Sequence, residues 1–215
     1  MAKEVVKVSR SSSPAGRRTV AKQSFRTAAE CIGEVVPGMS LFAITRGQFS
    51  MIDAVLACLD QAGPARVSLW TWTVAEYEVQ CLNALREDGR LTGGRLVIDY
   101  GARNKNAGII ADWKKSFGGD SVRYVVNHAK IATIENERFK ILLRGSMNLN
   151  FNPRFEQLDV TEGGPDFDLV REIEDELPIL ADTVSGAEAY DASRVSEAFD
   201  ANVLPLFKGV KVWAK

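Results

Sequence analysis

Histidine is all but missing from this chain: one residue in 215, His128. That scarcity excludes a reaction drawing two histidines from a single chain, and it excludes a histidine-rich metal site. Cysteine is scarce as well. Cys31, Cys58 and Cys81 are odd in number and widely spaced, without the pairing that binds zinc. They are read as reduced, partly buried thiols, a usage that suits a cytoplasmic protein. No apolar run approaches the roughly 20 residues of a membrane span, and the charged N-terminal residues lack the apolar stretch of an export signal. Neither secretion nor a membrane partner is expected. Net charge is −1, so no global excess of positive charge points to a polyanion.

What the chain does have is apolar content for one sizeable core, 46% of 215 residues, and a strongly uneven charge distribution. Residues 1–26 carry Lys3, Lys7, Arg10, Arg17, Arg18, Lys22 and Arg26 against Glu4 alone. The Ser-rich, Pro- and Gly-containing composition of 9–18 predicts a basic, partly flexible arm, with a helix following towards Gly38. Such an arm is either a phosphate-gripping segment or a solvated tail. Residues 156–191 are crowded with acids and have only Arg171 to offset them. The expected division is an arm and helix over 1–38 and a single domain over 39–215.

From residue 40 the pattern alternates. SLFAITRG reads as a strand, and Ser50 with Asp53 as the capping box of a helix whose buried stripe is Ile52, Val55, Leu56 and Leu59. ARVSLWTWT is the next strand, and Thr73-Val74-Ala75-Glu76 a second capping box. GGRLVIDYG is apolar throughout, as in strands buried on both faces. Asn106 heads a helix with Ile110, Trp113 and Phe117, closed by Gly118-Gly119. After SVRYVVN come consecutive strands, then a helix using Leu169, Val170, Ile173 and Leu177. Strand–helix three times, then strands, then helix, predicts an α/β fold: a mixed β-sheet with helices on both faces.

The chemistry-bearing residues concentrate in one stretch, Asn127 to Glu156. HAKIATI alternates as a strand does, so His128 and Lys130 share a face. RFKILLRG is a second strand, and Ser146 and Asn148 lie just past it, again two apart. With the strands adjacent, an imidazole, an ammonium and two neutral polar side chains meet on one small area, a set suited to an anionic phosphoryl group. Each residue also has an ordinary use. A lone histidine is commonly a surface or core residue, and Gly-Ser and Asn commonly shape turns. Of Trp70 and Trp72, one is expected in the core, and the other is a candidate to stack on a substrate. Arg103 and Lys105 follow a strand's C-terminal end, where open α/β sheets bind ligands, and are otherwise a solvated loop.

His128-x-Lys130, four residues, Glu135, then Gly145-Ser146-Met147-Asn148 resembles the signature of the phospholipase D superfamily, and in particular its bacterial endonuclease branch with one His-x-Lys per chain. Glu135 stands where the family has Asp, and a hairpin turn at 135–138 would absorb the longer spacer. The resemblance spans about 40–180 and implies a phospholipase D-like α/β/α sandwich. It implies His128 as nucleophile, Lys130, Ser146 and Asn148 on the phosphate oxygens, and Glu135 as a structural acid. It further implies Glu156 as the residue that orients the histidine, with Asp159 and Glu162 as alternatives. The implied activity is a metal-independent phosphodiesterase, foremost a nuclease working through a phosphohistidine. Its partners would be nucleic acid, DNA ahead of RNA, and a second copy of the chain, since the leaving oxygen needs a proton from another histidine. No cofactor is expected, because no carboxylate cluster suited to a divalent ion accompanies the motif. Alternatives are a non-catalytic interaction module on the same fold and a phospholipase or phosphatidyltransferase.

Overall fold

The computed structural model describes residues 6–11, 19–23, 26–149 and 154–192. In chain order its elements are β1 (Val6–Ser11), β2 (Thr19–Gln23), α1 (Ala28–Ile32), β3 (Ser40–Thr45), α2 (Met51–Ala62), β4 (Ala65–Thr71), α3 (Glu76–Glu87), β5 (Leu91–Asp99), α4 (Ala107–Phe117), β6 (Val122–Val125), β7 (Ile131–Glu135), β8 (Lys140–Gly145), β9 (Glu156–Glu162), α5 (Pro165–Glu176) and α6 (Gly186–Ala192). The strands form one sheet in the order β2-β1-β3-β9-β8-β7-β4-β5-β6. It is mixed: β4, β5 and β6 run parallel, and every other pairing is antiparallel.

Helices cover both faces, and β4 shows how the sequence assigns them. Val67 and Leu69 are fully buried in the main core with Leu59 of α2, Leu82 of α3 and Trp113 of α4. Each such side chain contributes about 1.5–3 kcal/mol by leaving water. Ser68 and Trp70, one residue out of step, point the other way under α5. There Trp70 packs on a small second cluster of Val97, Val125 and Leu177.

Local signals set several boundaries. At α2 the Ser50 amide donates to Asp53 at 2.8 Å while the Asp53 amide donates back to Ser50 Oγ, the expected capping box. Gly63 ends the helix at φ 78°, a conformation that costs glycine little. The turn between β7 and β8 is an Asn turn, Asn136 Oδ1 accepting from the Arg138 and Phe139 amides, each at 2.9 Å.

Four expectations are corrected. Where an arm and a long helix were expected, residues 6–11 and 19–23 form strands, β1 pairing antiparallel with β2 and with β3 (Val8↔Ala43). The alternation of Val6 and Val8 with polar residues is a period-2 pattern, and an open sheet edge recruits it. Among the described residues of this segment only Ala28–Ile32 is helical, capped by Thr27, which accepts from the Glu30 amide at 3.2 Å. The serine- and arginine-rich stretch over 12–18 lies outside the described residues. Thr73 does not cap α3: its N-cap is Ala75, and Thr73 is held by Thr71, whose Oγ1 donates to the Thr73 carbonyl at 2.5 Å. Asn106 does stand at the head of α4, but its side chain turns back to the Ala102 carbonyl at 2.8 Å instead of capping.

On α5 the expected stripe holds in part, with Leu177 buried and Val170 and Ile173 half-buried, but the deepest positions are others. Leu169 is exposed, while Phe167 and the carboxylate of Glu174 are fully buried. Glu174 accepts from Ser68 Oγ and from Trp70 Nε1 at 2.7 Å, and Arg171 donates to it at 2.7 Å. Arg95 stands 3.6 Å away and Arg66 4.0 Å. One acid thus docks α5 on the sheet. Removing it leaves the Ser68 hydroxyl and the Trp70 indole N–H without their acceptor and takes negative charge from three half-buried guanidiniums, so Glu174→Ala is expected to cost about 2–6 kcal/mol, read as a fall in the urea midpoint. A midpoint equal to wild type would show that α5 docks by its apolar residues alone.

Candidate active site

The reversal between β4 and β7 creates the site. Because β7 is antiparallel to β4 (Trp70↔Ile131), the start of β7 lies beside the ends of the parallel strands. The end of β8, the start of β9 and the end of β3 reach the same edge through Ile131↔Arg144, Gly145↔Leu158 and Thr45↔Glu156. His128 and Lys130 sit in the extended lead-in to β7 rather than within the strand itself.

Asn127 anchors that lead-in. It is buried, its backbone amide donates to Asp99 Oδ2 at 2.9 Å, and its side-chain amide donates to the Thr71 carbonyl at 3.1 Å. Its Oδ1 accepts from the Ala129 amide at 2.9 Å, an Asn turn around His128. Asp99 and Asn127 were not singled out by the sequence. The available signal was the acid ending the apolar strand VID and the Asn ending YVVN.

His128 is exposed and Lys130 is buried, and their side chains meet. Lys130 Nζ donates to the His128 carbonyl at 2.7 Å and stands 3.1 Å from Nδ1 and 3.2 Å from Nε2 of its ring. An ammonium has only donors, so it can bond only to a ring nitrogen that carries no proton, and it stands within reach of both. Burial pushes the Lys130 ammonium below its ordinary value, and the nearby Glu156 carboxylate partly restores it. Trp72 lies beside the ring, centroids 6.2 Å apart and planes tilted by 47°.

The second half of the motif is joined to the first through the backbone, the Gly145 amide donating to the Lys130 carbonyl at 3.1 Å. Gly145 has a steric reason to be glycine. A Cβ there would lie 2.2 Å from the Gln157 carbonyl oxygen, because β9 passes directly beside it. Met147 and Leu149 are buried in the core, which leaves Ser146 and Asn148 alternating towards the other side. Ser146 Oγ donates to the Glu156 carboxylate and accepts from the Gln157 amide at 3.0 Å. Asn148 Oδ1 is buried with no hydrogen-bond partner among the described residues.

Five of the six expected residues therefore lie at one edge: His128 with Lys130, Ser146 with Glu156, and Asn148 two residues beyond. Glu156 accepts from Ser146, and its charge acts on Lys130. Glu135 sits at the far end of β7, ion-paired with Arg171 at 3.2 Å, a brace between sheet and α5. Trp70 is the core tryptophan of its pair. Arg103 donates to the Val184 carbonyl and is committed to holding that loop. Among the described residues no three His, Cys, Asp or Glu side chains gather to hold a metal ion. Burial pushes the Cys58 thiol up to about 12, which leaves it unreactive.

Fold and site together define an α/β protein with an imidazole–ammonium pair at the ends of its central strands. No protein-family model and no curated protein matches the chain. Among solved structures it is similar to the polyphosphate kinase from Porphyromonas gingivalis, at 17% identity and a TM-score of 0.45. That alignment covers 69% of this chain and 27% of the kinase, so the chain spans about a quarter of that protein's length. No helix among the described residues is long and apolar enough to cross a membrane.

The close approach at Gly145 has a direct consequence. Gly145→Ala must push β9 away from β8, at a cost of about 1–3 kcal/mol or more, visible as a lower melting temperature. Unchanged melting would mean that the two strands separate freely at this point.

Proposed function

We propose that the chain is a phosphodiesterase that cleaves nucleic acid without a metal ion, through a phosphohistidine formed on His128, at a site shared by two copies of the chain. The observation that carries this reading is the Lys130 ammonium 3.1 Å from the ring of the sole histidine, with the Gly145–Asn148 segment bonded to the same lysine's backbone. The motif's resemblance to single-motif phospholipase D nucleases supports it.

In the proposed reaction an unprotonated ring nitrogen of His128 attacks phosphorus. A nitrogen–phosphorus bond forms, and the bond from phosphorus to the leaving oxygen breaks. Lys130 and the Asn148 side-chain amide stabilise charge on the non-bridging oxygens; Ser146 joins them when its hydroxyl proton, held by Glu156 in the free site, turns to the phosphate. The leaving oxygen takes a proton from His128 of the second copy, which enters protonated. That histidine, now neutral, removes a proton from water; the hydroxide attacks phosphorus, and the nitrogen–phosphorus bond breaks to free the product and the nucleophile. One chain has a single histidine, so the acid comes from a symmetric partner.

Incubation of the purified protein with plasmid, single-stranded DNA and RNA in EDTA is expected to give cleavage that His128→Ala abolishes. Lys130→Ala is expected to reduce it by about 10²–10³-fold. Turnover by His128→Ala near the wild-type rate removes the mechanism. Light scattering at assay concentration is expected to give twice the 23.6 kDa chain mass, and an active monomer overturns the shared site. The lowered value of Lys130 also sets a pH dependence. The site loses its positive charge as pH rises through a value below the ordinary 10.5, so the alkaline limb of kcat/KM falls on the acid side of 10.5. The sign for stability is opposite: the cost of the buried ammonium is present below that value and is relieved as pH rises through it. An alkaline limb at or above 10.5 would separate Lys130 from the rate.

A further inference from the structure

We infer that the site edge carries two base-stacking positions, Trp72 on one side of His128 and Phe155 under Arg46 on the other, and that the substrate is an unpaired nucleic-acid strand laid across the edge. The inference rests on the nucleic-acid reading above and adds the form of the substrate.

Two large aromatic side chains stand in the open where the polar site residues gather. Trp72 is 49% exposed and Phe155 73%. Trp72 directly follows β4 and Phe155 directly precedes β9, so both belong to the edge that holds His128. In the sheet order β9-β8-β7-β4 the His128 lead-in lies between them. At about 4.8 Å per strand, Trp72 is one strand from β7 and Phe155 two strands away on the opposite side, roughly 10 Å. A phosphodiester centred at His128 thus has an aromatic platform within reach of the nucleotide on either side.

The rings are presented for stacking, not packed away. The Trp72 plane is tilted 47° from the imidazole, and about half of the side chain stays in solvent. The Arg46 guanidinium lies 5.3 Å above the Phe155 ring, which orients the ring and adds positive charge along the path of the backbone. Stacking of bases on aromatic side chains is strong and tolerant of sequence, since every base has a π-face. In a duplex those faces are already covered by neighbouring base pairs. A platform at a sheet edge therefore selects strands that are single or locally opened.

The test uses the full chain carrying His128→Ala, titrated with a short oligothymidine and with a duplex of the same length. Single-strand binding is expected to quench tryptophan fluorescence, and the duplex is expected to bind more weakly. Adding Trp72→Ala or Phe155→Ala should weaken single-strand binding by about tenfold each, measured by anisotropy of a labelled oligonucleotide. Adding Trp72→Phe keeps a stacking ring, so affinity should persist while most of the quench disappears. Unchanged affinity in both alanine variants overturns the proposal. So does a Trp72→Ala chain that turns monomeric in light scattering, because the ring would then be covered by a second copy and not by a base. The two readings fail separately. Trp72-dependent binding by a wild-type chain that leaves the strand uncut in EDTA overturns the nuclease reading and supports the stacking positions. Cleavage with alanine variants that bind normally does the reverse.

Discussion

The antiparallel contact between β4 and β7 is the constraint on which the rest of the molecule depends. Were β7 to continue the parallel run, its start would lie at the opposite edge, and His128 would be separated from the ends of β4 and β5 by the length of a strand. The reversal makes one edge collect the ends of β3, β4, β5, β6 and β8 and the starts of β7 and β9. Strand direction, more than any single bond, assembles the site. The bonds refine it: Asp99 and Thr71, at the ends of parallel strands, hold Asn127, and Asn127 shapes the turn that presents His128.

Much of this was legible because the signals were local. The Ser50–Asp53 capping box lies within one turn, and its two bonds are those expected from residues three apart. Strands β3 to β8 announced themselves through apolar or alternating runs, and the His-x-Lys spacing placed the imidazole and ammonium together without reference to the fold. What was not legible depends on partners far away in sequence. The buried face of α5 turns on Glu174, whose acceptors' partners Ser68 and Trp70 lie 106 and 104 residues earlier. A helix read alone buries its apolar stripe; this one leaves Leu169 in solvent and also buries an acid, because the sheet beneath it offers donors and cations. The strand pairing of residues 6–11 and 19–23 is non-local in the same way, since composition argued for an arm and only a free sheet edge favours pairing. Thr73 shows the remaining kind of miss, two local options of similar strength, where the hydroxyl of Thr71 won the backbone groups that a cap would have used.

Glycine at 145 illustrates how one residue serves both packing and chemistry. The extended chain passes so close to Gln157 that no side chain fits. That closeness is what lets the Ser146 hydroxyl take the Gln157 amide and reach Glu156 across the strand pair. A wider spacing would leave Ser146 in solvent. Tight β8–β9 packing and a pre-set serine are one feature seen from two sides, which is why the Gly-Ser pair works as a unit.

The acid-rich segment over 156–191 finds its physical role in the same frame. Asp166, Asp168, Glu174 and Asp175 face Arg144, Lys140, Arg171 and Arg95 on the sheet and on α5 itself, with Glu135 completing the set from β7. The half-exposed pairs among these are individually worth little, about 0–1 kcal/mol. Their collective effect is to neutralise the basic face of the sheet and its far edge. Lys130 is treated differently. It is buried, its ammonium is spent on the His128 carbonyl and ring, and the acid that acts on its charge is Glu156, itself directed at Ser146. Charge on this protein is thus cancelled where it braces the fold and left under-compensated at the edge that holds its single histidine. A buried ammonium beside an exposed imidazole is unfavourable for stability alone. It becomes useful when an anion arrives to share it, and that asymmetry between the two edges is the strongest physical reason for locating function at the start of β7.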